Sequence, residues 1–313
     1  MRKSIIAVLF AVFLAVPAVD VLAADPQGPK VVVSIKPLHS LVAGVMEGVG
    51  EPQLLIKGGG SPHGYVLRPS EARLLADAQL VVWVGHRLEG FLEKPLSTLG
   101  RKARQLELAE ELESVLLPVR EGGSWEAHID DHENNHDPDE HAEHDQHLWL
   151  NPLLAKQVVE KTAAVLAEID PVHQQQYLKN AARLKERLDK LHARLSTQLD
   201  PYRSVPYAVF HDAYQYFESA YGLNAVGSIT IDPERRPGAV RIRELRAKIK
   251  ALNARCVFSE PQFESRLVAT VIEGTGAKTG ILDPLGAELP AGLENYFLLM
   301  NALADNLVAG LRD

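Results

Sequence analysis

Histidine is the residue type whose placement in this chain points to chemistry. Six of the twelve, His128, His132, His136, His141, His144 and His147, fall between Glu126 and His147, separated by 4, 4, 5, 3 and 3 residues. Nine acidic side chains are interleaved with them and no Lys or Arg. Imidazole suits zinc, copper and nickel, and mixed His/Asp/Glu tracts hold such ions loosely. A segment with so little apolar content has no core to enter, so 126–146 reads as a mobile surface loop. His128, His132, His136, His141 and His144 are expected to bind metal weakly there.

His147 differs from its five predecessors. Leu148-Trp149-Leu150 follow it and return the chain to a packable environment just before Asn151-Pro152 opens a helix. Two further histidines stand where α/β proteins place ligand groups, beyond the carboxyl ends of strands. His63 follows the turn-rich Gly58-Gly59-Gly60-Ser61-Pro62, and His211 directly ends the apolar run Tyr207-Ala208-Val209-Phe210. Asp283 has the same topological address after Gly280-Ile281-Leu282, and zinc accepts a carboxylate oxygen beside imidazole nitrogens. A tight site of His63, His147 and His211 with Asp283 is the expectation, although Asp283 followed by Pro284 also reads as a turn residue. His39 and His86 follow strands but have no identifiable partners; His173 and His192 read as surface positions on a helix.

The elements that must carry these side chains alternate short β-branched runs with helical segments, which argues for βα units on parallel sheets. Strands are predicted over 30–35, 53–57, 79–84 and 103–106 in the first half, and over 207–210, 225–230, 255–259 and 278–282 in the second. Between the halves, Tyr177, Leu178, Ala181, Leu184, Leu188, Leu191 and Leu195 form a helical stripe. Asp170-Pro171 starts it and Asp200-Pro201 stops it. The expected fold is therefore α/β: two lobes with mainly parallel sheets, 24–170 and 201–313, braced by a long rigid helix over 171–200, with the metal in the cleft between them.

Met1-Arg2-Lys3, the apolar stretch Ile5 to Val16 and the small-residue end Val21-Leu22-Ala23-Ala24 have the layout of a cleavable secretory signal over 1–23. A membrane anchor needs about 20 apolar residues, and Pro17 and Asp20 interrupt this run early. The single cysteine, Cys256, is far from the cleavage point, so no lipid anchor is expected, nor an internal disulfide or multi-thiolate zinc site. The net charge of −8 is concentrated in the His-rich tract, and nothing suggests the basic face that nucleic acid would require.

Four ordered motifs carry a resemblance that spans essentially the whole mature chain. They are Ser61-Pro62-His63-Gly64-Tyr65 with Leu67-Arg68-Pro69-Ser70, His147-Leu148-Trp149-Leu150-Asn151-Pro152, Phe210-His211-Asp212-Ala213-Tyr214, and Gly280-Ile281-Leu282-Asp283-Pro284-Leu285-Gly286. With them the chain resembles the zinc-binding solute-binding proteins of bacterial ABC importers, of the ZnuA type. The resemblance implies a periplasmic monomer that captures Zn²⁺ and delivers it to a membrane permease subunit and, through it, an ATPase. Its ligands would fall on His63, His147 and His211, with Asp283 at the place that coordinates metal in many relatives. Manganese-binding relatives typically have a carboxylate at the third position, so His211 favours zinc. Pro62 stands where some zinc members have glutamate, which leaves the fourth ligand open between Asp283 and water; Cys256 cannot form the C-terminal disulfide that some members have. Two rival readings are a secreted zinc hydrolase with a His₃-water site and a metal buffer without a transporter. The first lacks a His-Glu-x-x-His helix or comparable catalytic motif, and a fourth protein ligand would close its open position.

Overall fold

The structure, a computed structural model, describes residues 28–120, 125, 144–230, 233, 238–263 and 265–312. The expected signal and His128, His132, His136 and His141 lie outside these residues.

The first lobe contains β1 (Val31–Val33), α1 (Lys36–Met46), β2 (Gln53–Leu54), α2 (Pro69–Asp77), β3 (Leu80–Trp83), α3 (Glu93–Thr98), β4 (Arg104–Glu107) and α4 (Leu108–Glu111). Its strands form a fully parallel sheet in the order β2-β1-β3-β4. After α5 (Pro152–Ile169) and α6 (Gln174–Leu199) come β5 (Tyr207–His211), α7 (Gln215–Tyr221), β6 (Ala225–Thr230), α8 (Ala239–Ala251), β7 (Cys256–Ser259), α9 (Ser265–Ile272), β8 (Lys278–Ile281) and α10 (Asn295–Leu311). The second sheet is also parallel, ordered β6-β5-β7-β8. All eight predicted strands are present: β6 keeps its predicted bounds, β4 and β5 run one residue further, to Glu107 and His211, and the other five are shorter than predicted. Val31, Val32 and Val33 are all buried, as in a central strand covered by helices on both faces.

The long helix runs as predicted, a single 3₁₀ turn at Pro171–His173 leading into α6. Its 26 residues span about 39 Å at 1.5 Å each. Tyr177, Ala181, Leu184, Leu188, Leu191 and Leu195 are buried, whereas Leu178, assigned to the stripe from spacing, is half exposed. A buried polar residue completes that face instead: Asn180 Nδ2 donates to the carbonyls of Val45 and Glu47, occupying acceptors that the end of α1 leaves free. Gly44 makes this approach possible, since a Cβ there would stand 2.7 Å from Leu184 Cδ2.

One continuous apolar core runs through both lobes, from Val31 and Leu38 through Trp149, Leu184 and Leu188 to Tyr214, Phe258 and Leu307. Two smaller clusters back the outer faces of the sheets, one around Ile229 and Ile249, the other around Val81 and Leu75. The C-terminal helix α10 packs on α1 as well as on β8 and α6, so the lobes meet through helices of both halves.

Candidate metal centre

His211 is the last residue of β5, inside a parallel sheet, and only 3% exposed. His63 lies in the connection between β2 and α2, where its backbone N–H donates to Ser61 Oγ at 3.3 Å. The chain then enters α2 with Pro69 in its first turn, and Glu71 accepts from both Arg68 N and Tyr65 Oη at 2.8 Å. This fixes the far end of the His63 loop. His147 precedes the buried turn Leu148–Leu150, after which Pro152 starts α5 and Asn151 Oδ1 caps it through Leu153 N.

The three imidazoles converge. Ring centroids are 5.6 Å apart for His63 and His147, 5.3 Å for His63 and His211, and 4.8 Å for His147 and His211. One ligand nitrogen from each lies within 4.8 Å of the others. Nε2 of His63 and of His211 are both buried and have no hydrogen-bond partner among the described residues. Buried polar atoms are normally satisfied, so two such nitrogens turned to one space suit a shared cation or a donor such as water. Ser61, Trp149, Phe263 and Leu285 help close the space around them, a cavity of about 10 Å³. That is room for one water-sized particle.

Carboxylates fix the rings of two of the three. Asp145 Oδ1 accepts from the backbone N–H of His147 at 2.9 Å and pairs with its Nδ1 at 2.7 Å. Glu260, just beyond β7, pairs with Nδ1 of His211 at 3.1 Å. A carboxylate accepts, so each Nδ1 carries the proton and each Nε2 lone pair faces the cluster. At His63, burial first, then the neighbouring His211 and His147, hold the pKa well below the ordinary imidazole value and keep the ring in the neutral, ligating form. At His211 burial opposes the charged form, but Glu260, Asp212 and Asp145 outweigh it and raise the pKa.

Asp283 does not join the cluster. It follows β8 as expected, but Oδ1 accepts from Leu285 N and Gly286 N at 3.0 Å and from Gln262 Nε2 at 2.8 Å, while Oδ2 accepts from Ala287 N at 2.6 Å. The carboxylate is engaged in folding its own turn, which is the Asp-Pro turn role. His144 stands apart as well. It forms an isolated antiparallel bridge with Pro118, and Asp145 N donates to Leu117 O at 2.9 Å. Residues 144 and 145 are thus tied to the lobe rather than free within a 126–146 loop. His39 Nε2 contacts Pro52 O, His86 pairs with Glu107, His173 with Asp170, and His192 stacks on Tyr221.

Sequence reasoning missed Asp145, Glu260 and Arg120. Asp145 was one acid among nine in a polar tract, and Glu260 stands at a strand end, the same signal that located His211. Arg120 stacks on Trp125 at 3.5 Å and its guanidinium lies between Asp212 and Glu218, donating Nε to Asp212 Oδ2 at 3.1 Å and Nη1 to Glu218 Oε2 at 2.6 Å. It joins the segment before the His-rich tract to the residue next to His211.

Two parallel-sheet lobes, a bracing helix and an ion-sized pocket of three imidazoles shared between the lobes define a metal-binding solute receptor. Residues 31–310 match the family described as zinc-uptake complex component A, periplasmic (ZnuA). The chain is 45% identical over 311 residues to the high-affinity zinc uptake system protein ZnuA of Brucella abortus (strain 2308), covering 91% of this chain and 92% of that protein. Identity to the protein of the same name from Yersinia pestis is 36% over 291 residues, covering 90% and 91%. Among solved structures, the fold resembles a crystal structure of ZnuA with a TM-score of 0.75 at 24% identity, covering 91% of this chain and 100% of that one. The periplasmic zinc binding protein TroA from Treponema pallidum gives 0.78 at 22%, with the same coverage. The chain belongs to the ZnuA family of periplasmic zinc-uptake proteins.

Proposed function

We propose that this protein captures one Zn²⁺ in the periplasm through Nε2 of His63, His147 and His211 and delivers it to an ABC-type membrane permease driven by an ATPase. The observation that carries the site is the pair of buried, unpartnered Nε2 atoms on His63 and His211 facing His147. Zinc takes imidazole nitrogens at about 2.0–2.1 Å in tetrahedral array. Three neutral imidazoles supply three corners, and water the fourth while Asp283 holds its turn. All three ligands come from one chain, which supports a monomer as the working unit. The relatives' names supply the zinc and the uptake system.

Export rests on the basic and apolar layout of the first 23 residues. We take that signal to be removed, with no lipid attached, because the only cysteine is Cys256. Among the described residues no helix is long and apolar enough to cross a membrane.

The hydrolase reading has little to support it. The space at the three nitrogens is about water-sized, and the carboxylates of Asp145, Glu260 and Asp283 are engaged with an imidazole or with backbone amides. The proposal is tested by chelator competition on the purified protein. His63→Ala, His147→Ala and His211→Ala should each weaken zinc binding by more than the about 10–100-fold typical of losing a supporting hydrogen bond. Near-wild-type affinity in any one removes that residue from the site. For transport, a deletion strain short of zinc should be restored by the intact gene and not by the His211→Ala version.

A further inference from the structure

The three proposed ligands bring no charge to a doubly charged ion, and Asp283 is occupied elsewhere. We propose that the site's preference for a divalent over a monovalent cation is set one imidazole away from the metal, by Asp145 behind His147 and Glu260 behind His211. The inference rests on the three-histidine reading above and asks what within it distinguishes the charge of the cargo.

Asp145 and Glu260 are 6% and 4% exposed, so water screens them little. Each pairs with the far nitrogen of a ligand ring, at 2.7 and 3.1 Å. Among the described residues Asp145 Oδ2 is buried with no hydrogen-bond partner, so part of its charge is left unmatched by them. The nearby guanidinium of Arg120 is held by Asp212 and Glu218. Two carboxylates therefore face the ion through two imidazoles, a formal −2 set against +2. Coulombic attraction scales with the ion's charge, so each carboxylate favours M²⁺ twice as strongly as M⁺ at the same position. Copper also accepts imidazole ligands, so geometry and ligand type alone leave Cu⁺ as a competitor.

The test measures Zn²⁺ and Cu⁺ affinities, the latter under reducing conditions, by chelator competition for the wild type, Glu260→Gln, Asp145→Asn and the double variant. An amide oxygen still accepts the Nδ1–H bond, so ring orientation is kept while charge is lost. Each single variant should lose about 10–100-fold in zinc affinity, but only about 3–10-fold for Cu⁺, the square root of that factor. The double variant should narrow the Zn²⁺ preference further. Equal losses for the two ions, or unchanged zinc affinity, in variants that melt like the wild type overturn the proposal.

Glu260→Asp gives an independent reading, because it keeps the charge on a shorter arm. It should hold zinc more tightly than Glu260→Gln; the reverse order would assign Glu260 to orientation alone and sink the idea. His211→Ala separates the two levels. Unaltered zinc binding there removes the site itself, whereas loss in His211→Ala beside ion-independent losses in Glu260→Gln removes only the charge argument.

Discussion

Lys36 and Asp283 hold the same turn, one by its carbonyls and the other by its amides. The Asp283 carboxylate gathers the backbone N–H groups of Leu285, Gly286 and Ala287. Lys36 Nζ, from the first turn of α1, donates to the carbonyls of Gly286 at 3.2 Å, Ala287 at 2.6 Å and Leu289 at 3.1 Å. Trp149 Nε1 adds a bond to Pro284 O at 2.8 Å. Pro284 and Leu285 line the metal pocket, so this double grip fixes one wall of the site across the lobe boundary.

Lys36→Met should therefore destabilise the protein by about 3 kcal/mol: three acceptors lose a charged donor, each such bond contributing about 1.5–3 kcal/mol, while relief of the burial that pushes the Lys36 pKa down offsets part of that sum. Denaturant unfolding measures it. Asp283→Asn should cost a similar amount in stability, yet reduce zinc affinity far less than loss of any of the three histidines. A drop as deep as that of His211→Ala, in a folded protein, would restore Asp283 to the coordination sphere.

Arg120→Gln leaves Asp212 and Glu218 buried without their cation. Breaking such a pair from one side costs about 3–5 kcal/mol, and a thermal melt should drop accordingly. Burial pushes the Glu218 carboxyl up to about 7 even beside Arg120. Replacing it by Gln in the Arg120→Gln background should therefore recover part of the loss. No recovery would mean that Glu218 is not the group left stranded.

Glu89 sets a pH dependence that is independent of metal. Burial pushes its carboxyl up from 4.5 to about 7, while Oε2 accepts from Val84 N and Gly85 N. The folded state thus holds a proton that the unfolded chain has released between about pH 4.5 and 7, so stability falls as pH rises through that window. The full shift corresponds to about 3 kcal/mol. Glu89→Gln should be more stable than wild type at pH 8, with the gain vanishing near pH 4.5. A gain independent of pH would assign the effect to packing.

The strands were legible because runs such as Val31-Val32-Val33 and Tyr207-Ala208-Val209-Phe210 are short, β-branched or aromatic and bounded by turn residues. The three histidines were legible because the topology puts strand ends and the return to Leu148-Trp149-Leu150 at the cleft. What the pattern could not convey is which polar residues are buried with partners. Leu178 has the right spacing for the α6 stripe but points to solvent, whereas Asn180 has the wrong polarity and is buried because α1 ends against it. Asp145 and Glu260 belong to the same class, since their roles come from a ring that another element delivers. Asp283 has the right address, but three local amides reach its carboxylate and hold it in the turn.

The acidic, His-rich tract is expected to collect zinc weakly beside the tight site without forming part of it. Its acids attract cations, and His128, His132, His136 and His141 offer nitrogens. Fixing each backbone residue around an ion costs about 1–2 kcal/mol of entropy, so its affinity should be the lower of the two. The informative deletion runs from Ala127 to Glu143. It spares His144, whose bridge to Pro118 closes the base of the tract, and Asp145, which orients His147. Calorimetry on this variant should lose the weak phase and keep one tight site. Extending the deletion through Asp145 should then weaken the tight site as well, because His147 loses the carboxylate on its Nδ1. If the shorter deletion already abolishes tight binding in a folded protein, the tract itself supplies a primary ligand and the three-histidine assignment fails.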